Sequence, residues 1–411
     1  YQDNAVFQEL YSWYLQSPEY RILVKNLTEA SFSERPSDKI GKTVAKILYG
    51  EISPYSATRL ERFAACAFAH FLQYGLKVTE RAEYEFRAMD MGNVMHMALE
   101  KFAAEVRKEG LDWAELTEEE RNRIIDSCLD QVSADYGNTI LKSSARNEYM
   151  IERTRRILRR TVWALQEQLK HGAFRPEGFE VRFQGGRIDR VDIMEEPENN
   201  RVYVKVIDYK TGNTSFDLLA LYHGLQLQLM VYLDGALQVE KRKYPDREIV
   251  PAGVFYYNVK DPMIQEKIHA DMESINEQML KKMKMNGLVQ ADDNMSTKID
   301  STMASIPVSL NRDGSFSKRS SVASRKQFDA LGAYVRRKIC DIRESILDGN
   351  AAVEPYELGK KNACTYCPYL TVCGFDRKIP GYEFHRLSSI EEDALWKKIM
   401  KGEEENGSEM D

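Results

Sequence analysis

The sequence predicts an α/β fold: strand-like segments occupy the middle of the chain, and helical segments surround them. Phe179 to Ile193, Arg201 to Tyr209 and Pro251 to Val259 are rich in Val, Ile, Phe and Tyr, which favour strands. Residues 90–110, 113–171, 216–238 and 264–350 carry helical patterning instead. At 411 residues the chain is long enough for two or three units of about 150 residues. Its 43% hydrophobic and 10% aromatic content supports a real core and excludes a wholly disordered chain.

Taken in order, residues 1–50 read as helices, with Tyr11, Trp13, Tyr14 and Leu15 as apolar surface and Ser31 to Asp38 as a polar loop. Gly41-Lys42-Thr43 matches the end of a phosphate-binding loop, but Pro36 stands where that loop requires Gly, so ATP binding is rejected and Lys42 is read as solvated. Ser53-Pro54-Tyr55-Ser56-Ala57-Thr58 precedes Arg59-Leu60-Glu61 as a capped helix start. The region 113–171 presents Arg153, Arg155, Arg156, Arg159 and Arg160, either as a DNA path or as a face salt-bridged to neighbouring acids. Residues 179–193 and 201–209 flank Glu195 to Asn200 and read as a β-hairpin. The block 264–350 reads as helical apart from a loop at Asn311 to Ser324, residues 355–375 as short and irregular, and Gly402 to Asp411 as an acidic, disordered tail.

With 58 basic and 64 acidic residues the net charge is −6, which argues against non-specific coating of nucleic acid but leaves room for a local basic channel. No apolar run approaches the roughly 18 residues a membrane span needs, and the N-terminus lacks the layout of a signal peptide. The expected location is therefore cytoplasmic, without a membrane partner. The missing initiator Met reads as a sign that the chain is part of something larger.

The chemistry concentrates in Gly186-Arg187-Ile188-Asp189 and Val206-Ile207-Asp208-Tyr209-Lys210. Alternation puts Asp208 and Lys210 on one face. A turn centred near 197–198 sets Asp189 opposite about position 206, diagonal to Asp208, with Asp192 on the other face. Two carboxylates suit Mg²⁺ or Mn²⁺, and a Lys can offset charge developing on a phosphate. A surface hairpin of solvated charges explains the same residues equally well. Gly92-Asn93-Val94-Met95-His96 adds a helical His that shares a face with Glu100. Gln226, Gln228 and Tyr232 follow on a helix, with Gln228 and Tyr232 able to face the hairpin.

The six cysteines are too few for a disulfide scaffold. Cys364, Cys367 and Cys373 form C-x2-C-x5-C and need a fourth ligand for a closed site. Cys128 and Cys340 read as helix-core positions, where a thiol acts as a small hydrophobe, which leaves Cys66. Zinc and free thiols are both compatible with this set.

The ordered series GxxxH, GxxD, DYK and QxxxY resembles the RecB-like branch of the PD-(D/E)XK nucleases. That resemblance implies a restriction-endonuclease-like core, a central mixed sheet flanked by helices, with large helical insertions. It implies His96, Asp189 and Asp208 as metal ligands, Lys210 as the catalytic lysine, Gln228 and Tyr232 as the motif that follows, and Glu180 as a supporting carboxylate. One Cys before these motifs and three after them resembles the iron-staple nucleases, which implies a [4Fe–4S] cluster on Cys66, Cys364, Cys367 and Cys373. Residues 53–76 are similar to the AddB-like members, except that Ala67 stands where a Pro is usual. This implies a nuclease domain over 53–380, a trailing segment of a helicase-like region over 1–52, and a C-terminal helix and acidic tail over 381–411. It also implies a Mg²⁺-dependent DNA exonuclease in double-strand break repair that cuts the 5′-terminated strand and works with an AddA-like helicase–nuclease partner. A catalytically silent DNA-binding scaffold and a stand-alone iron–sulfur nuclease of the CRISPR-adaptation type are the competing expectations.

Overall fold

A computed structural model describes residues 4–31, 39–50, 56–80, 88–136, 144–264, 271–292, 294–379 and 381–407. Most of the expected loop at 31–38, the Ser53-Pro54-Tyr55 entry and residues 408–411 of the tail lie outside these. Gly402 to Gly407 are not tail: they belong to the helix Glu392–Gly407.

The architecture is a six-stranded mixed sheet between two helical layers, as the resemblance implied. Strands β1 (Arg175–Phe183), β2 (Gly186–Glu196), β3 (Arg201–Lys210), β4 (Glu248–Asn258), β5 (Asn286–Gln290) and β6 (Val322–Ala323) lie in sequence order. The β1–β2 and β2–β3 pairs are antiparallel, whereas β3 and β4 are parallel. A parallel pair needs a crossover, and the helix Gln228–Lys243 supplies it.

Alternation along β3 separates the two cores. Tyr203, Ile207 and Tyr209 face a cluster with Leu99, Phe102, Leu158 and Leu165 from the helices Ala88–Lys108 and Ala145–Lys170. Val202, Val204 and Val206 face Leu229, Leu233, Phe328 and Leu331 from the helices Gln228–Lys243 and Arg325–Leu347. The final helix adds Leu395, Trp396 and Ile399 to that second cluster. With both faces covered, the central strands read as continuous apolar runs.

Three expectations need correction. Phe179 to Ile193 is not one hairpin arm: it folds back between β1 and β2, where Gly186 takes a φ of 147° that Gly tolerates without penalty. The block 264–350 is not mainly helical, since β5 and β6 join the sheet there. Gly287 lets β5 in, because a Cβ would stand 1.9 Å from the Val254 carbonyl oxygen. The helix expected over 216–238 is two, Leu218–Tyr222 and Gln228–Lys243, and Gln226 lies between them. Lys42 is solvated as expected, paired with Asp348 at 2.9 Å.

Candidate active site and thiol pocket

The β2–β3 register pairs Arg190 with Ile207 and Val191 with Val206, so continuing it sets Asp189 opposite Asp208. The expected partner near 206 was two residues off. The turn is a 3-10 segment, Pro197–Asn199, followed by Asn200 in the left-handed region, which moves its centre toward the C-terminus. A two-residue slip preserves the face, and Asp189 and Asp208 do share one. Here the ladder ends: the Tyr209 N–H donates to Asp189 Oδ2 at 2.7 Å, so the carboxylate satisfies a strand group.

Groups from both helical layers converge at this strand end. The helix Ala88–Lys108 brings His96, whose Nδ1 lies 3.4 Å from Asp189 Oδ2. Gly92 lets that helix approach β3, since a Cβ there would sit 3.3 Å from Thr211 Oγ1. β1 contributes Glu180, which pairs with Arg187. Glu180 holds a φ of 50°, uncommon for a residue with a Cβ; such strain costs about 1–3 kcal/mol and gathers at functional sites. Donor atoms of His96, Glu180 and Asp189 all lie within 4.8 Å of one another, the only such trio among the described residues. One ion with ligands about 2.1 Å away can touch all three.

Asp208 stands beside this trio rather than in it. Its Oδ2 lies 2.6 Å from Lys210 Nζ. From the other layer, Gln228 Nε2 donates to Asp208 Oδ1 at 3.0 Å and to the Tyr232 hydroxyl at 2.8 Å, while its Oε1 accepts from Lys210 Nζ at 2.8 Å. Gln228 thus ties the acid, the lysine and the tyrosine together. Gln226 takes no part: it closes its own loop through the Asp217 N–H and the Ser215 carbonyl. Glu100 lies near enough to Glu180 to raise its pKa.

Burial pushes the Asp189 carboxyl well above the usual carboxylate range, and Asp208 adds to the rise against the Tyr209 N–H. Burial also raises Asp208, although Lys210 opposes it. Glu180 is raised by burial, with Arg187 opposing. Three acids short of positive charge favour an added cation. Burial, with help from Lys210, lowers the His96 imidazole, which keeps a neutral nitrogen available as a ligand.

Sequence reasoning missed Glu61. Its Oε1 accepts the backbone N–H groups of Leu227 and Gln228 at 2.7 and 2.9 Å. A lone Glu on an amphipathic helix carries no signal of such a role.

Across the hairpin, Asp192 points to the opposite face as expected. Arg190 Nε donates to its Oδ1 at 2.6 Å, and Lys205 Nζ lies 3.0 Å from its Oδ2, all buried. The arginine face is ion-paired: Arg155 and Arg159 with Asp126, Arg156 and Arg160 with Asp261. Four of the five arginines are thus salt-bridged to neighbouring acids, and Arg153 is exposed. A cleft of about 1090 Å³ beside Trp163, His171 and Lys281 contains none of the candidate catalytic residues.

Cys66, Cys364, Cys367 and Cys373 line one pocket with Phe68, Tyr369 and Phe375. Cys66 occupies the break between the helices Ala57–Ala65 and Ala67–His70. Burial raises its thiol, and Cys367 and Cys373 add to the rise, as expected of thiols facing one another without a metal. Cys128 is buried in its helix, as expected. Cys340 is exposed, against expectation: it sits two positions, or about 200°, from Ile342 on the buried stripe of its helix.

A family model described as the PD-(D/E)XK nuclease superfamily matches residues 54–374. The chain is also similar to proteins whose names describe a subunit of an ATP-dependent helicase/deoxyribonuclease. It is 39% identical to the relative from Lachnoclostridium phytofermentans, over 97% of this chain and 36% of that protein. It is 35% identical to the relative from Alkaliphilus metalliredigens, over 96% and 36% respectively. For the relative from Thermoanaerobacter sp. the values are 33%, 99% and 37%. The chain therefore spans just over a third of the length of these curated relatives.

Proposed function

Because the chain belongs to the PD-(D/E)XK nuclease superfamily, we propose that it is a metal-dependent deoxyribonuclease acting on DNA strand ends. The observation that carries this is the meeting of Asp189, Asp208 and Lys210 with His96 and Glu180 at one strand end. Mg²⁺ or Mn²⁺ would be held by Asp189, Asp208 and His96, with Glu180 in support, and would polarise a phosphoryl oxygen and acidify a bound water. Lys210 offsets charge developing on the phosphate, and Gln228 holds the lysine in line with Asp208. Tyr232, its phenol kept protonated by burial, steadies the Gln228 amide.

The four thiols are proposed to hold a [4Fe–4S] cluster that pins the segment after Pro355 to the domain. No three of them fall within 4.8 Å of one another among the described residues, whereas four thiolates on a single zinc at about 2.3 Å crowd closer than that. A cluster with four separate corners suits the wider spacing. The names of the relatives support a place in a helicase–nuclease complex. An AddA-like partner, and cutting of the 5′-terminated strand during double-strand break repair, are proposed from the motif resemblance alone.

A nuclease assay on single-stranded DNA with Mg²⁺ tests the reading. The intact chain should cut, Asp208→Ala should not, and Lys210→Ala should lose at least about a hundredfold in turnover with DNA affinity nearly unchanged. Equal losses of binding and turnover would make Lys210 a phosphate clamp. Anaerobically purified protein should be brown; Cys66→Ala should bleach it and Cys128→Ala should not. Stoichiometric zinc without iron would overturn the cluster.

A further inference from the structure

The helix Gln228–Lys243 has no cap of its own. Its preceding residue is Leu227, whose side chain offers no acceptor, so the first backbone N–H groups need a partner from elsewhere. Glu61 supplies it from 166 residues away, through one oxygen that accepts from both Leu227 and Gln228. A carboxylate at a helix N-terminus is also favoured by the helix dipole. The anchored residue, Gln228, is the one whose amide joins Lys210, Asp208 and Tyr232. Glu61 itself lies near enough to Lys210 and Asp208 to feel both charges.

Glu61 is itself held firmly. It lies on the helix Ala57–Ala65, which Ser56 caps at one end and which ends at Cys66 in the thiol pocket. Five steps along the helix axis, about 7.5 Å of rise, separate Glu61 from that cysteine. The next residue, Arg62, lies over the Tyr369 ring of the same pocket. One short rigid element therefore spans the thiol pocket and the candidate active site.

We propose that Glu61 is a positioning residue for the nuclease site: its Oε1 fixes the first turn of the helix Gln228–Lys243, and with it the Gln228 amide that aligns Lys210 with Asp208. The proposal rests on reading that site as the nuclease centre. Glu61 touches neither substrate nor metal in this account and acts only through Gln228. A displacement of about 1 Å in a positioning group can cost a hundredfold in rate.

Two measurements on the full 411-residue chain decide it. In hydrogen exchange, Glu61→Ala should speed exchange of the Leu227 and Gln228 amides by about tenfold or more, the factor for losing a hydrogen bond to a charged acceptor. Glu61→Gln should restore protection, because an amide oxygen can accept both groups. In kinetics, Glu61→Ala should lower kcat about 10- to 100-fold with DNA affinity within about twofold, and Glu61→Gln should recover most of it. Glu61→Ala/Gln228→Ala should be no slower than Gln228→Ala alone, because the two act as a unit. Unchanged amide exchange in Glu61→Ala, or multiplicative losses in the double variant, would overturn the proposal. A wild-type chain without nuclease activity would sink the nuclease reading instead, while the exchange comparison would still decide whether Glu61 holds Gln228.

Discussion

Asp189 and Asp192 stand three residues apart on β2, both largely shielded from water, yet they are pushed in opposite directions. Burial alone would raise Asp192, but Arg190 and Lys205 hold it below the usual carboxylate range. Asp189 meets another acid, Asp208, and is held well above that range. The strand offers the same backbone and the same side chain to two environments. One face neutralises the charge with permanent cations and is complete. The other sets Asp189, Asp208 and Glu180 against only Lys210 and Arg187, an excess of acid that favours a divalent ion. Burial of an acid therefore says little about function; the sign of its neighbours says more.

Removing the structural acid should have the largest effect. Asp192→Ala leaves Arg190 and Lys205 buried without a counter-charge and should cost about 3–5 kcal/mol in a denaturant melt. Asp189→Asn should do the reverse. Turnover should fall about a hundredfold to a thousandfold, while metal-free stability should stay level or rise. If both substitutions destabilise equally, the contrast between the two faces is wrong.

The pH dependence of stability should separate them again. The raised carboxyls of Asp189 and Asp208 retain protons in the folded state that the unfolded chain has lost. Their contribution is fully present below the ordinary carboxylate pKa of about 4 and is lost as pH rises through the raised folded values. Asp192, lowered in the fold, contributes above about pH 4 and loses that contribution as pH falls through its folded value. In metal-free protein Asp189→Asn should flatten the decline toward neutral pH, and saturating Mn²⁺ should offset it. Urea melts across pH 3 to 8 would read both limbs.

The smallest effect is expected on the arginine face. Replacing Arg155, Arg156 and Arg159 by Gln should change the salt slope of DNA binding by less than about one unit, since their acids already occupy them. A drop of about two to three units would assign that face to DNA after all.

How much of this was legible follows from what each feature depends on. Strand alternation is local, so the pairing of Asp208 with Lys210 on one face, and Asp192 on the other, could be read from residues alone. The register could not, because Asn200 adopts a left-handed conformation that only the folded turn reveals. β5 and β6 escaped notice because strands of five and two residues carry too little periodicity to compete with the helical pattern around them. Gln226 and Gln228 look alike in sequence, and only the helix start at Gln228 separates a loop clasp from a site residue. Glu61 and the strained Glu180 depend on contacts between distant segments, which no short motif encodes.

The central claim is that Asp189 and Asp208, two adjacent acids with only Lys210 beside them as a cation, form a metal site. Anomalous scattering from a Mn²⁺-soaked crystal tests it directly. The account predicts manganese within about 2.0–2.3 Å of both the Asp189 and Asp208 carboxylates, with His96 completing the shell and Asp208 drawn away from Lys210. Manganese bound elsewhere, with Asp208 still paired to Lys210 and Asp189 still facing only the Tyr209 N–H and His96, would contradict it.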